Sequence, residues 1–139
     1  MRAKIDNIEP EPMAIIAIVT CEPLYRLAWL INQQLGWNLA ESAEISVIEK
    51  EHSIVRTFPV YSWNDDVNEA VYHLIQNKSA QGTIEPTIKN IDFWMRIENM
   101  ADTDSIEAGL KRISEIQIVQ KFHLSDLKKT SPILKTPLY

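Results

Sequence analysis

One cysteine, Cys21, and three histidines, His52, His73 and His123, are the first residues to examine for nucleophilic or metal chemistry. Cys21 precedes or opens a helix, where the helix dipole would lower a thiol pKa. A nucleophilic thiol also needs a base, and the three histidines fall on three separate predicted strands. A lone cysteine without such a partner reads as a small buried hydrophobe. Zinc sites use short ligand spacings that these dispersed residues lack. Asp65, Asp66 and Glu69 crowd one turn, but a calcium loop needs alternating oxygen ligands over a longer stretch and usually a glycine. The glycines are Gly36, Gly82 and Gly109, too scattered for a phosphate loop or a dinucleotide fingerprint. Catalytic signatures such as Gly-x-Ser-x-Gly do not occur. The expectation is therefore no cofactor, no metal and no catalytic residue.

Two sets of side chains remain as binding candidates. Tyr25, Trp29 and Asn32 recur at i, i+4 and i+7, a second stripe on a predicted helix, and with Trp37 they exceed the aromatic surface that packing on one sheet requires. Two readings stand. The aromatics pack at the edge of the helix–sheet core with their polar tips in water, or they form a partner or self-association surface. Asp92, Trp94 and Arg96 alternate along a predicted strand, opposite its apolar face. Asp92 either lines a cleft or accepts backbone N–H groups and fixes the turn after Pro86. Trp94 and Arg96 can stack or pair across the sheet, under a ligand, another element or a second subunit.

The elements that must position these groups follow from hydrophobic period. Met13–Val19 (MAIIAIV) is an apolar, β-branched run that reads as a central strand buried on both faces. A helix follows, with Thr20 or Glu22 as N-cap, Pro23 near the first helical position and Gly36 as C-terminal cap. Leu24, Leu27, Ala28, Ile31 and Leu35 form its buried stripe. Residues 44–77 read as antiparallel sheet: Ile45 and Val47 alternate with polar neighbours, and 53–61 is a β-rich run whose Pro59 marks an edge or bulge. The cluster 63–69 is turn chemistry, and 70–76 returns as the second strand of a hairpin. Residues 77–82 break the chain again. Ile91, Phe93, Met95 and Ile97 make a half-buried strand with one apolar face. Asp104 and Glu107 form a capping-box-like pair ahead of a helix buried through Ile106, Leu110 and Ile113, in which Gly109 weakens the helix or admits a close neighbour. Residues 116–122 are the last strand.

Length and composition bound the rest. At 139 residues, 45% hydrophobic and 24% charged, the chain forms one domain with its own core, with 1–11 and about 126–139 loosely ordered. Its net charge of −5 opposes attraction to phosphate backbones, and the single-charge basic excess of 101–139 is too small for a nucleic-acid patch. The apolar run 13–19 is far shorter than the ~20 residues a membrane span requires. The N-terminus lacks a signal-peptide layout, and one cysteine suits a reducing compartment. A cytoplasmic protein is expected, with no nucleic-acid or membrane partner.

The order strand, helix, antiparallel strands, helix, strand suits a ferredoxin-like α+β fold, βαββ(β)αβ, with two helices on one face and an extra strand or hairpin. Residues 83–97, TIEPTIKNIDFWMRI, resemble the small bacterial family named for its motif Ile-Pro-Glu-x-x-x-Val-Asp-Tyr, whose members occur mainly in Bacteroidetes. Pro86 takes the family proline, Ile91 the valine, Asp92 the aspartate and Phe93 the tyrosine. Glu85 stands for the isoleucine and Thr87 for the glutamate. The segment 24–29 with Asn32 and Leu35 is similar to that family's first helix, and Asn77-Lys78 to its hairpin region. The resemblance implies little chemistry, and any role of the family's glutamate is removed by Thr87. The functional expectation is a non-catalytic interaction or homodimerising module, using Tyr25 and Trp29 or the face of Asp92, Trp94 and Arg96. The alternative is a small-ligand sensor with its site before the first helix, where Thr20 and backbone N–H groups meet an anion.

Overall fold

The computed structural model describes residues 13–49, 54–80, 82–85, 87–88, 90–99, 102–128 and 130–135. The expectations placed on residues 1–11, His52, Pro86 and the last four residues lie outside the described residues. The chain is an α+β fold built as β1 (Ala14–Thr20), α1 (Leu24–Leu35), β2 (Ala40–Glu41), β3 (Ile45–Glu49), β4 (Ile54–Phe58), β5 (Val60–Asp65), β6 (Ala70–Gln76), β7 (Lys78–Ser79), β8 (Gly82–Thr83), β9 (Phe93–Glu98), α2 (Thr103–Lys111), β10 (Ile116–Phe122) and α3 (Pro132–Lys135). Six strands form one antiparallel sheet in the order β10-β1-β9-β6-β5-β2, and β3–β4 and β7–β8 are separate hairpins.

The first helix follows the sequence in its apolar stripe and its end, but not in its cap. Pro23 itself is the N-cap residue, with no side-chain cap, in place of the expected Thr20 or Glu22, and Gly36 ends the helix in the left-handed conformation, its N–H donating to the Asn32 carbonyl. Leu24, Leu27, Ala28 and Ile31 are buried. The second helix is capped by Asp102, whose carboxylate accepts from the Ser105 N–H, rather than by the Asp104–Glu107 pair. Gly109 admits the side chain of Leu35 from α1, which a Cβ at that position would meet. Both helices pack on one face, where Ile16, Ile18, Leu74, Met95 and Ile97 join Leu27, Ile31, Ile106 and Leu110 in one core.

The other face is covered as well, which corrects two expectations. Strand β9 has no solvated side: Trp94 is fully buried and Arg96 nearly so. Their cover comes from Ile45 and Phe58 of the β3–β4 hairpin, Ile84 and Ile91 of the segment before β9, and Leu127 and Ile133 of the C-terminal segment, all in one cluster with Trp94, Ile15 and Val60. The described part of 126–135 is thus packed rather than loosely draped, following a 3-10 turn (Leu124–Asp126) and ending in α3. Its polar spelling hides two buried apolar anchors.

The run 53–61 divides at Pro59. Residues before it pair with β3, and those after it pair with β6, so the proline marks a switch between sheets. Strand β5 runs through Trp63, Asn64 and Asp65, which leaves Asp66–Glu69 as the turn. Asp65 is buried at the strand end, where its carboxylate accepts from the backbone N–H groups of Val67 and Asn68 and from Asn68 Nδ2. Among the described residues no helix is long and apolar enough to cross a membrane.

Candidate functional site

At the C-terminal end of β1 the sheet opens into a cleft of about 620 Å³, in front of α1. Its position follows from chain direction, because β1, the end of β6 and the start of β9 all meet there. Asp92 lies just before β9 and Lys78 just after β6. Lys78 Nζ contacts Asp92 Oδ1 at 2.9 Å, and the other carboxylate oxygen of Asp92 accepts the Thr20 N–H at 3.0 Å. Cys21, Glu22, Gln76 and Gln117 complete the polar lining, with Val19, Pro23 and Phe93 as apolar wall.

The two readings of Asp92 therefore coincide: it lines a cleft and holds backbone at once. The Thr20 hydroxyl, however, donates to the Glu115 carbonyl at 2.7 Å and accepts from the Glu22 N–H at 3.2 Å. Its hydrogen-bonding groups are engaged within the chain, and the polar groups presented to the cleft are those of Lys78, Asp92, Glu22 and the two glutamines. Cys21 is exposed on the rim, not buried as its type suggested. Arg26 reaches from α1 to within 4.0 Å of both Glu22 and Glu115, and its guanidinium lies 4.9 Å from the centre of the Trp29 ring.

The expected binding residues separate. Tyr25 and Trp29 are 67% and 50% exposed, on one side of α1. Asn32 is not part of such a surface, because its side-chain amide brackets the Leu39 backbone, donating to the carbonyl at 3.1 Å and accepting the N–H at 2.8 Å. Trp37 stacks on Tyr72 at 3.9 Å and neighbours Trp63, so it belongs to the core edge. Trp94 and Arg96 are interior and form no outer face with Asp92.

Under the second face lies a polar row that composition did not reveal. Ser62, His73 and Arg96 stand opposite one another on β5, β6 and β9. Ser62 Oγ is 2.7 Å from His73 Nδ1, His73 Nε2 is 3.5 Å from Glu98 Oε2, and Arg96 binds the same carboxylate at 2.9 Å while donating to the Ile133 carbonyl. A carboxylate only accepts, so the tautomer that suits both neighbours carries its hydrogen on Nε2 and accepts from Ser62 at Nδ1. A pocket of about 220 Å³ beside Ser42, Ser62 and Trp63 reaches this row. The residue types are those of a nucleophilic serine, but the electrostatics oppose that use. Burial, and then the positive charge of Arg96, push the His73 imidazole down to about 4. Glu98 is already neutralised by Arg96, so an imidazolium formed here would face a cation. The row supports hydrogen bonding and does not support proton transfer at neutral pH. Hairpin arithmetic was the available signal: a turn at 66–69 pairs 65 with 70 and so 62 with 73.

A third polar group surrounds Glu85, a buried carboxylate that accepts from the Thr87 hydroxyl at 2.6 Å and from its N–H at 3.4 Å. Burial alone would raise its pKa. The Ser131 hydroxyl, Thr87 and the charge of Lys128 outweigh burial and hold the carboxyl below its ordinary value. A carboxylate therefore sits against Thr87, supplied from two residues earlier. Among the described residues no group of three or more His, Cys, Asp or Glu is placed to hold a metal ion.

His73 generates a pH prediction. Its folded pKa lies below the unfolded value of about 6.5, so the unfolded chain binds the proton first as pH falls. The stability from keeping His73 neutral is full above pH 6.5 and is lost progressively down to about pH 4. A drop of roughly 3 kcal/mol is expected across that window in urea titrations, because each tenfold change in proton affinity corresponds to about 1.4 kcal/mol. His73→Gln should flatten that part of the curve, and an unchanged slope would refute the assignment.

Comparison with family models, with curated proteins and with solved structures gives no match to this chain.

Proposed function

We propose that the protein is a non-catalytic binding module, and that its principal site is the cleft in front of α1, which takes a small charged metabolite. The observation that carries this is the Lys78–Asp92 ion pair on the wall of a cavity of about 620 Å³. That volume is within the range of small-molecule sites. An ion pair at a cleft surface can exchange one partner for a ligand group of the same sign, because each charge is only partly desolvated. Lys78 can meet a ligand anion, and Asp92 and Glu22 a ligand cation. The adjoining Val19, Pro23 and Phe93 offer apolar contact.

The strand order β10-β1-β9-β6, with α1 after β1 and α2 after β9, supports reading these elements as a ferredoxin-like core to which β5 and β2 are added. On that reading the module is a ligand-sensing domain, by analogy of fold alone. Kinship with the Ile-Pro-Glu-x-x-x-Val-Asp-Tyr family is proposed on the similarity of 83–97. The Glu85–Thr87 contact supports it, since a carboxylate is kept near the position where the family glutamate is replaced.

A second reading, association with another protein or a second copy, is favoured by Tyr25 and Trp29, two large exposed aromatics one helical turn apart on α1. Such side chains are enriched at interface centres.

Thermal unfolding against a panel of charged metabolites tests the first reading. A ligand at about a hundred times its Kd should raise Tm by on the order of 5 °C or more, and Lys78→Ala should abolish that rise without lowering Tm by itself. A panel that leaves the wild type unmoved, or a rise that survives Lys78→Ala, would end it. For the second reading, Trp29→Ala is expected to reduce self-association or partner capture, measured by sedimentation and pull-down. Unchanged behaviour would exclude the α1 surface.

A further inference from the structure

We infer that the cleft in front of α1 takes a small α-amino acid in its dipolar form. The ligand carboxylate meets Lys78, the ligand ammonium meets Asp92, and an apolar ligand side chain lies against Val19, Pro23 and Phe93. This deepens the cleft reading and rests on it, since it names the class of ligand that the charges there select.

The charge arrangement makes the selection. Lys78 Nζ and Asp92 Oδ1 stand 2.9 Å apart, with the lysine side chain 49% and the aspartate side chain 23% exposed. The pair sums to zero, so it presents a dipole to the cleft and no net charge. The other charged group among the described lining residues is Glu22, whose carboxylate has the Arg26 guanidinium 4.0 Å away. No surplus of positive charge is offered to a polyanion. A ligand with one charge that exchanges into the pair leaves the other member without its counter-charge, and a stranded, partly desolvated charge offsets the gain. A ligand that carries both charges strands neither. An α-amino acid bears its ammonium and carboxylate on one carbon, so their separation is of the same order as that of the pair they meet.

Hydrogen-bonding capacity agrees with that class. An ammonium has three donors, and Lys78 uses one of them on Asp92. The Asp92 Oδ2 atom accepts the Thr20 N–H at 3.0 Å, so the carboxylate stays tied to the main chain while Oδ1 faces Lys78. A carboxylate has about four acceptor sites, which lets Asp92 take a ligand ammonium without releasing Thr20. Gln76 and Gln117 each donate through Nε2 to a main-chain carbonyl, that of Lys78 at 2.8 Å and that of Glu115 at 3.3 Å. With the nitrogens so engaged, the amide oxygens are what these two lining residues have to offer. A ligand ammonium, with three donors of its own, can use acceptors of that kind.

Isothermal titration calorimetry tests the inference with leucine, with isocaproate, which is leucine without its ammonium, and with isopentylamine, which is leucine without its carboxylate. Leucine should bind on the order of fivefold more tightly than either, about what one partly exposed ion pair contributes, and more tightly than glycine. Lys78→Gln should bring leucine down to the level of isopentylamine and leave isopentylamine no weaker than before. Leucine no tighter than isocaproate, isopentylamine or glycine, or unaffected by Lys78→Gln, overturns the inference. So does a failure of leucine to bind while another charged metabolite raises Tm through Lys78, and in that case the cleft reading stands. A whole panel of charged metabolites without effect ends both.

Discussion

The side chain of Asn77 ties the second face of the sheet together. It is fully buried, and its backbone and side chain serve six other residues, Ile88 among them through Nδ2 to its carbonyl at 3.5 Å. Its N–H donates to the Asp92 carbonyl and its carbonyl accepts the Ile84 N–H at 2.7 Å. Its amide nitrogen donates to the Ile91 carbonyl at 2.7 Å, and its amide oxygen accepts Trp94 Nε1–H at 2.8 Å and the Glu85 N–H at 3.3 Å. An apolar residue would keep the two backbone bonds but not those of the amide, and each group the amide serves costs about 1–3 kcal/mol if left buried without a partner. Against a whole-domain stability of about 5–15 kcal/mol that is a large share. The described residues between β8 and β9 are bends and turns outside any strand, and the Asn77 amide stands in for a strand partner there.

The cleft depends on the same residue. Asn77 immediately precedes Lys78; its main-chain N–H donates to the Asp92 carbonyl, and its side-chain amide holds the adjoining Ile91 carbonyl. The salt bridge between Lys78 and Asp92 is therefore set from beneath, and Asp92 in turn holds Thr20 at the entrance to α1. Two elements far apart in sequence, the end of β1 and the hairpin after β6, are registered against each other by one carboxylate. The binding reading rests on that preorganisation, because a ligand meeting Lys78 and Asp92 would not have to order them.

What the residues announced, and what they concealed, divides along one physical line. Patterns local in sequence were legible: the apolar run of β1, the i, i+3, i+4 stripe of α1 with Gly36 behind it, and the hairpin around 66–69. Patterns that depend on what covers a surface were not. Strand β9 alternates as though half solvated, yet Trp94 finds its partner in Asn77 and Arg96 finds Glu98, so polar atoms go inside. The cover for that face comes partly from the described residues of 124–135, where Leu127 and Ile133 are too widely spaced among polar residues and a proline to read as an element. Of the expected binding residues, Tyr25 and Trp29 keep their exposure. Asn32 is absorbed into local backbone bonding, and Asp92 becomes a cleft residue through its meeting with Lys78.

The most direct measurement is amide hydrogen exchange, read by NMR, on Asn77→Ala beside the wild type. If Asn77 registers the second face and the cleft, the Ile84, Glu85, Asp92 and Thr20 amides should lose protection well before those of Ile16 and Ile18, which β9 and β10 hold from either side. Protection of those four amides unchanged from the wild type, or lost in step with the β1 core, would contradict the role given to Asn77.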